Sequence, residues 1–76
     1  MKLRDLKKGD WFFPASQIKR RQVDLFRVVG EKCEFNQQAG TATRQCVDLA
    51  GEIVNKQCRL EVMPAEAPGK QPNLLK

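Results

Sequence analysis

The sequence predicts an all-β domain, either a small barrel or a strongly bent antiparallel sheet of about four or five strands. Short apolar segments alternate with the period of two that sends successive side chains to opposite faces of a strand. Turns containing Gly and Asn separate these segments at short intervals. No segment has the apolar spacing of an amphipathic helix of three turns, and closure into a barrel would protect the strand edges.

The predicted domain spans residues 2–63, and residues 64–76 form a flexible tail. Three of the four prolines lie in that tail. The tail has too few large apolar side chains to offset the conformational entropy that would be lost on ordering it. Its terminal Leu-Leu pair leaves two interpretations open, a segment that docks into a groove of a partner protein or an end without a role.

The first third of the domain contains one turn, one strand and one loop. Leu3 and Leu6 have the spacing of a single helical turn with both side chains on one side. Three consecutive aromatic residues predict a first strand over residues 10–14, in which Phe12 faces one way and its two neighbours the other. Residues 15–22 are polar and basic, which is typical of an exposed loop or one helical turn.

The second strand is predicted from Val23 to Val29, with Phe26 and Val28 on one face. Gly30 permits a bend or bulge, after which the chain continues extended to Phe35. The composition of the next five residues, Asn-Gln-Gln-Ala-Gly, predicts a turn.

The sequence of the last third of the domain predicts a hairpin. A strand from Thr41 to Leu49 is followed by Gly51, which supplies the positive φ of a short hairpin turn. The final strand has the clearest alternation, with Cys58, Leu60 and Val62 on one face and polar residues on the other.

The order of these features resembles a known family. A leader and first strand, LRDLKKGDWF, precede a basic loop, a long strand, DLFRVVGEKCEF, and a hairpin, TRQCVDLAGEIVNKQCRLEV. This order is similar to that of the SH3-like barrels of translation and nucleic-acid proteins, in particular the amino-terminal domain of elongation factor P, over about residues 3–62. The resemblance implies an SH3-like β-barrel and favours a nucleic-acid partner. The family's modified lysine is absent, because the corresponding stretch, EFNQQAGTAT, contains no lysine, so its characteristic function is not implied.

Charge, hydropathy and cysteines restrict the class of protein. The chain has 14 Lys and Arg against 9 Asp and Glu, a net charge of +5, which either favours a polyanionic partner or only maintains solubility. No run approaches the ~18 apolar residues of a membrane span, and the first residues have no apolar export segment. The three cysteines are an odd number without close spacing, so we expect reduced thiols, no zinc site and a cytoplasmic location.

The residue types needed for catalysis are scarce. The chain contains no His and no Tyr, and it has no glycine-rich phosphate-binding motif. The acidic pairs Glu31 with Glu34 and Asp48 with Glu52 fall on strands or turns, where solvated surface charge is the ordinary interpretation. We therefore expect no enzyme activity, no metal, no cofactor and no small-molecule substrate.

The candidate site is basic and aromatic. Its predicted nucleic-acid-binding residues are Lys19, Arg20 and Arg21 in the loop after the first strand, Lys7 and Lys8 before that strand, and Trp11. The cations would neutralise phosphates, and Trp11 would stack on a base if it is not part of the core. The same cations also fit a simple solvated turn. Arg27, Arg44 and Arg59 would extend the positive surface across an outer sheet face.

Two functions follow as hypotheses. The first is a small non-catalytic module that associates with nucleic acid through the Lys/Arg loop. The alternative is a protein-interaction accessory or regulator, bacterial or phage-encoded, that binds the surface of a partner protein. A contiguous positive face beside Trp11 or Phe13 would favour the first, and an exposed apolar patch would favour the second.

Overall fold

The computed structural model describes residues 1–68 and consists of six strands and two short 3₁₀ helices. The 3₁₀ helices are Leu3–Asp5 and Ala15–Gln17. The strands are β1 (Trp11–Pro14), β2 (Phe26–Val28), β3 (Glu34–Asn36), β4 (Thr41–Asp48), β5 (Ile53–Gln57) and β6 (Val62–Ala65). The all-β prediction is confirmed, and the tail predicted over residues 64–76 begins with two residues of β6 and otherwise lies mostly outside the described residues.

The strands form one antiparallel sheet in the order β3-β4-β2-β1-β6, with β5 on the other edge of β4. The eight residues of β4 are long enough to pair with β2 and β3 one after the other along the same edge. The sheet is not closed into a barrel, because β5 and β6 are not paired with each other. Of the two predicted architectures, the bent antiparallel sheet is therefore the one observed.

The core lies on the inner face of the sheet, as the alternation predicts. Phe12 and Phe26 are stacked with their ring centroids 5.6 Å apart. The core is completed by the buried side chains of Leu3, Leu6, Val28, Cys46 and Val62. Leu3 and Leu6 come from the leader, which crosses the inner face, and burying side chains of this size stabilises the fold by about 1.5–3 kcal/mol each.

Backbone and side-chain hydrogen bonds hold the leader in place. The amides of Leu3 and Arg4 donate to the carbonyl oxygens of Leu60 and Cys58 at 2.9 and 3.1 Å. Asp5 closes the first turn by accepting the amide of Lys2 at 3.0 Å. The single turn predicted from the spacing of Leu3 and Leu6 is thus observed. It covers the inner face of the sheet, where both side chains are buried.

Two glycines act as the sequence predicts. The amides of Val29 and Gly30 both donate to the carbonyl oxygen of Gln45 at 3.0 Å, which is the arrangement of a β-bulge. A Cβ on Gly30 would lie 3.1 Å from the Gln45 nitrogen, so the close approach favours glycine. Gly51 has φ of 87° in the turn between β4 and β5.

The prediction of one continuous final strand is wrong. The chain turns after β5, where the amide of Leu60 donates to the carbonyl oxygen of Gln57 at 3.0 Å. This turn is required because β5 pairs with β4 whereas β6 pairs with β1, at the other side of the open sheet. Cys58 and Val62 are nevertheless buried, so alternation gave the correct burial without a continuous strand.

The prediction of three reduced thiols is wrong for two of them. Cys33 and Cys58 form a disulfide with a Cα–Cα distance of 6.3 Å, and Cys46 is a buried free thiol. Cys33 precedes β3 and Cys58 follows β5, on opposite edges of β4. Strands on opposite edges of a third lie about 9–10 Å apart in a flat sheet, so the two segments curl toward each other. Disulfides persist mainly in oxidising compartments, and the expected cytoplasmic location stays a prediction.

Candidate nucleic-acid interface

The predicted basic loop connects β1 to β2 at one end of the sheet. Lys19, Arg20 and Arg21 are all exposed, and none forms an ion pair with a carboxylate of residues 1–68. The loop is closed at its base by Gln17 and Asp24. Gln17 Nε2 donates to Asp24 Oδ2 at 3.0 Å, and the Asp24 amide donates to Gln17 Oε1 at 2.8 Å. The loop therefore presents three unneutralised positive charges to solvent.

Lys7 and Lys8 lie at the opposite end of β1 from this loop. The Lys7 amide donates to Asp10 Oδ2 at 2.8 Å, which fixes the turn before the strand. Lys8 Nζ lies 3.4 Å from Glu31 Oε2. Because one pair precedes β1 and the other three cations follow it, the structure does not bring the five predicted cations into one cluster.

The outer face of the sheet connects the two ends. The register places Ile53, Val47, Arg27, Trp11 and Ala65 in one row across five strands. Directly opposed residues in an antiparallel pair point to the same side, so these side chains share the outer face. The guanidinium carbon of Arg27 lies 6.0 Å from the Trp11 ring centroid, at the limit of a cation–π contact.

Alternation among the three aromatic residues is confirmed. Phe12 has no exposed surface, whereas Trp11 and Phe13 are half-buried on the outer face. Phe13 lies opposite Met63 in the next row. The outer face is thus partly apolar, with one arginine at its centre.

The placement of Arg44 on an outer basic surface is wrong. Its side chain is 5% exposed and lies on the inner face, the same face as the fully buried Cys46 two residues later in β4. Residues two apart in a strand point to the same face, so the spacing of Arg44 and Cys46 is the sequence signal that would have placed Arg44 inward. Arg59 is exposed, but it lies in the turn after β5, where its Nε donates to Gln57 Oε1 at 3.2 Å.

The titratable groups with shifted pKa values have structural roles. Burial raises the pKa of the Cys46 thiol to about 11, which keeps it protonated and unreactive near neutral pH. A hydrogen bond from Lys2 lowers the pKa of the exposed Glu61 carboxyl, and the charges of Lys2 and the N-terminal ammonium act in the same direction.

The acidic pairs are also structural or solvated. Asp48 Oδ1 accepts the amide of Glu52 at 2.9 Å in the hairpin turn, and Glu31 is paired with Lys8. Across residues 1–68, no three His, Cys, Asp or Glu side chains are grouped so that they would hold a metal ion. In the same range, no helix has the length and apolar character needed to cross a membrane.

No family model, curated protein or solved structure matches the chain. The resemblance to elongation factor P therefore stays a prediction from feature order. The arguments about function rest on the residues and geometry described above.

Proposed function

We propose that this chain is a non-catalytic module that binds the backbone of nucleic acid through the β1–β2 loop and the adjoining outer sheet face. The observation that carries the proposal is the run of Lys19, Arg20 and Arg21, which is exposed and without acidic partners in the described chain. Arg27 continues the positive charge along β2, beside Trp11. Lys7 and Lys8 supply further cations at the far end of the same pair of strands.

Phosphate neutralisation provides most of the binding free energy in this proposal. Each phosphate neutralised on double-stranded DNA contributes about −0.9 to the slope of log affinity against log salt. Three loop cations would therefore account for roughly two to three units of that slope. The affinity expected for such sequence-independent contacts is weak, on the order of 10⁻⁴–10⁻⁶ M at physiological salt.

Trp11 would add a contact with single strands. Its ring is partly exposed on the outer face, and stacking of one base on such a ring contributes about 1–3 kcal/mol. Stacking needs an unpaired base, so we expect single-stranded oligonucleotides to bind more tightly than duplexes of equal charge.

A protein partner is the second candidate, and one feature favours it. Leu49 and Ile53 are 62% and 63% exposed beside the β4–β5 turn. A shallow recess of about 380 Å³ adjoins this turn and is lined in part by Val23, Leu25 and Leu49. Apolar side chains grouped in this way favour a partner that buries them.

The test is fluorescence anisotropy with labelled single- and double-stranded oligonucleotides across a salt series. The test variant is Lys19→Gln/Arg20→Gln/Arg21→Gln. The matched control, Lys2→Gln/Lys56→Gln/Arg59→Gln, removes the same charge from residues away from the loop and the outer face. We expect the loop variant to lose at least tenfold in affinity at low salt and about two to three units of slope, and the control to lose much less.

Tryptophan fluorescence adds an internal check, because Trp11 is the only tryptophan in the chain. Binding of a single strand should quench its emission, whereas a duplex should change it little. Equal losses in the two triple variants, or no binding at low salt, would contradict the proposal and leave the protein-partner hypothesis.

A further inference from the structure

A second basic cluster lines a recess at the end of the sheet opposite the β1–β2 loop. The recess has a volume of about 400 Å³ and lies between the leader, the loop after β2 and the inner face of β4. Its charged lining residues are Arg4, Lys7, Lys8, Lys32, Arg44 and Glu31. Five of these six are cationic, so we expect a strongly positive potential inside the recess.

Arg44 is the buried member of this cluster. Its guanidinium is held by backbone carbonyl oxygens: Nε donates to Gly30 at 3.0 Å, Nη2 to Glu31 at 3.2 Å, and Nη1 to Leu3 and Leu6. Those four hydrogen bonds use four of its five N–H groups, so one N–H of Nη2 has no acceptor in residues 1–68.

The charge of Arg44 is also uncompensated. No carboxylate of the described residues forms an ion pair with it, although its side chain is only 5% exposed. Buried charges are ordinarily paired, because burial without a counter-charge is costly. A buried cation held by neutral carbonyl groups therefore favours an anion from outside the chain.

The rim of the recess adds exposed cations to the buried Arg44. Arg4, Lys7 and Lys32 are exposed and form no ion pair within the described part of the chain. Lys8 is paired with Glu31, the only acidic residue that lines the recess. One such pair leaves an excess of four positive charges, which matches a polyvalent anion better than a single carboxylate.

The recess is also held in shape before any ligand binds. Cys33 forms part of its wall and is bonded to Cys58, whose carbonyl oxygen accepts the Arg4 amide at 3.1 Å. The two walls that carry the rim cations are therefore linked covalently and by hydrogen bonds. Fixed walls reduce the entropy lost on binding, so affinity for a compact anion increases.

We infer that this recess is a binding site for a phosphate-class oxyanion that carries two or more negative charges, such as a diphosphate or triphosphate group. Lys7, Lys32 and Arg4 contact the anion from the rim, while Arg44 supplies positive charge from the floor. The phosphate group belongs either to a free polyphosphate or to the phosphorylated end of a nucleic acid. The site shares Lys7 and Lys8 with the proposed nucleic-acid surface, but it lies apart from the β1–β2 loop and does not depend on the function proposed for that loop.

The experiment is a titration of the full chain with inorganic pyrophosphate at constant ionic strength, followed by calorimetry and by ¹H–¹⁵N spectra. The test variant is Arg4→Gln/Lys7→Gln/Lys32→Gln, and the matched control is Lys19→Gln/Arg20→Gln/Arg21→Gln. We expect the recess variant to bind at least tenfold more weakly and the loop variant to stay within twofold of the wild type. Amide shifts should be confined to residues 4–8, 29–33 and 44.

Competition identifies the source of the phosphate. An oligonucleotide with a 5′-triphosphate that displaces pyrophosphate, where its 5′-hydroxyl counterpart does not, supports a nucleic-acid end. Pyrophosphate binding that neither oligonucleotide affects supports a free polyphosphate.

Equal losses in the two triple variants, or shifts spread over the whole surface, would overturn the site and indicate diffuse charge attraction. Because the loop variant should lose oligonucleotide affinity but keep pyrophosphate affinity, failure of one proposal is distinguishable from failure of the other.

Discussion

The two basic clusters of this protein carry similar charge but differ in how the fold holds them. The loop cluster, Lys19 to Arg21, lies on a connection closed by one side-chain pair and a short 3₁₀ helix. The recess cluster is built around Arg44, whose guanidinium joins the leader to the loop after β2. The loop carries three positive charges and the recess an excess of four, so charge alone does not separate their functions. A rigid concave cluster suits a compact anion, and an exposed loop suits a long, variable one.

The two clusters differ first in how firmly the fold holds the backbone that carries their cations. Every wall of the recess is anchored to the core or to the disulfide, so the backbone that carries its cations is held in place and the Arg44 side chain is fixed. The loop cations keep most of their side-chain freedom, and they lose entropy with every phosphate they contact. Variants that loosen the recess should therefore affect stability and pyrophosphate binding together, whereas variants of the loop base should leave both nearly unchanged.

Loss of Arg44 should give the largest effect. Arg44→Leu leaves the carbonyl oxygens of Leu6, Gly30 and Glu31 without their donor, while that of Leu3 keeps only the Leu6 amide. We expect the free energy of unfolding to fall by about 3–5 kcal/mol. Urea denaturation followed by circular dichroism measures this change. Arg44→Lys keeps the charge but not the forked donors, so its stability should lie between that of the wild type and that of Arg44→Leu.

The matched control for this prediction is Arg59→Leu. Arg59 is exposed and donates only to Gln57 in the described chain, so its loss should change stability by no more than about 0.5 kcal/mol. If the two leucine variants were equally stable, Arg44 would not be joining the leader to the sheet.

Loss of the disulfide should have the next largest effect. The bond closes a loop with a sequence separation of 25, for which loop-closure entropy gives about 3–4 kcal/mol of stabilisation. Cys33→Ser/Cys58→Ser should therefore unfold at a lower urea concentration and bind pyrophosphate more weakly. Oligonucleotide binding through the loop should be retained while the variant stays folded.

A reducing agent provides the control for the disulfide. It should lower the stability of the wild type and have no effect on the double serine variant, because Cys46 is a buried free thiol. If a reducing agent left the stability of the wild type unchanged, the disulfide would not be holding the walls of the recess.

The smallest effect is expected at the base of the loop. Gln17→Ala removes two exposed hydrogen bonds to Asp24, and we expect a loss of stability below about 1 kcal/mol. Hydrogen exchange at the Asp24 amide should become faster, while pyrophosphate affinity stays unchanged. The control is Gln22→Ala, in the same exposed loop. A loss of pyrophosphate binding in either variant would show that the loop and the recess do not act separately.

Part of the fold was predictable because it depends on local pattern. Alternation correctly put Phe26 and Val28 on one face and Phe12 on the face opposite its two neighbours, and the glycines at positions 30 and 51 marked a bulge and a turn. Burial of Val62 followed from the same pattern, although the chain turns just before β6. These features need only the steric preferences of a residue and its immediate neighbours.

The remaining features required contacts between distant segments. Arg44 was expected outside because arginine is usually exposed, and its inward position is tolerable only because four carbonyl groups from elsewhere meet it. The pairing of Cys33 with Cys58 could not be read from their spacing, since it depends on the curl of the chain around β4. The recess was missed for the same reason.

The sequence by itself determined the all-β class, which residues share a face of a strand, the main turns and the positive net charge, because these follow from residue type and a period of two. Only the tertiary structure decided that the sheet stays open, that β5 and β6 are separate strands and that the cations divide into two clusters. The physical reason is that strand pairing, disulfide formation and carbonyl groups around a buried guanidinium join residues far apart in the chain. No local pattern encodes where those residues meet.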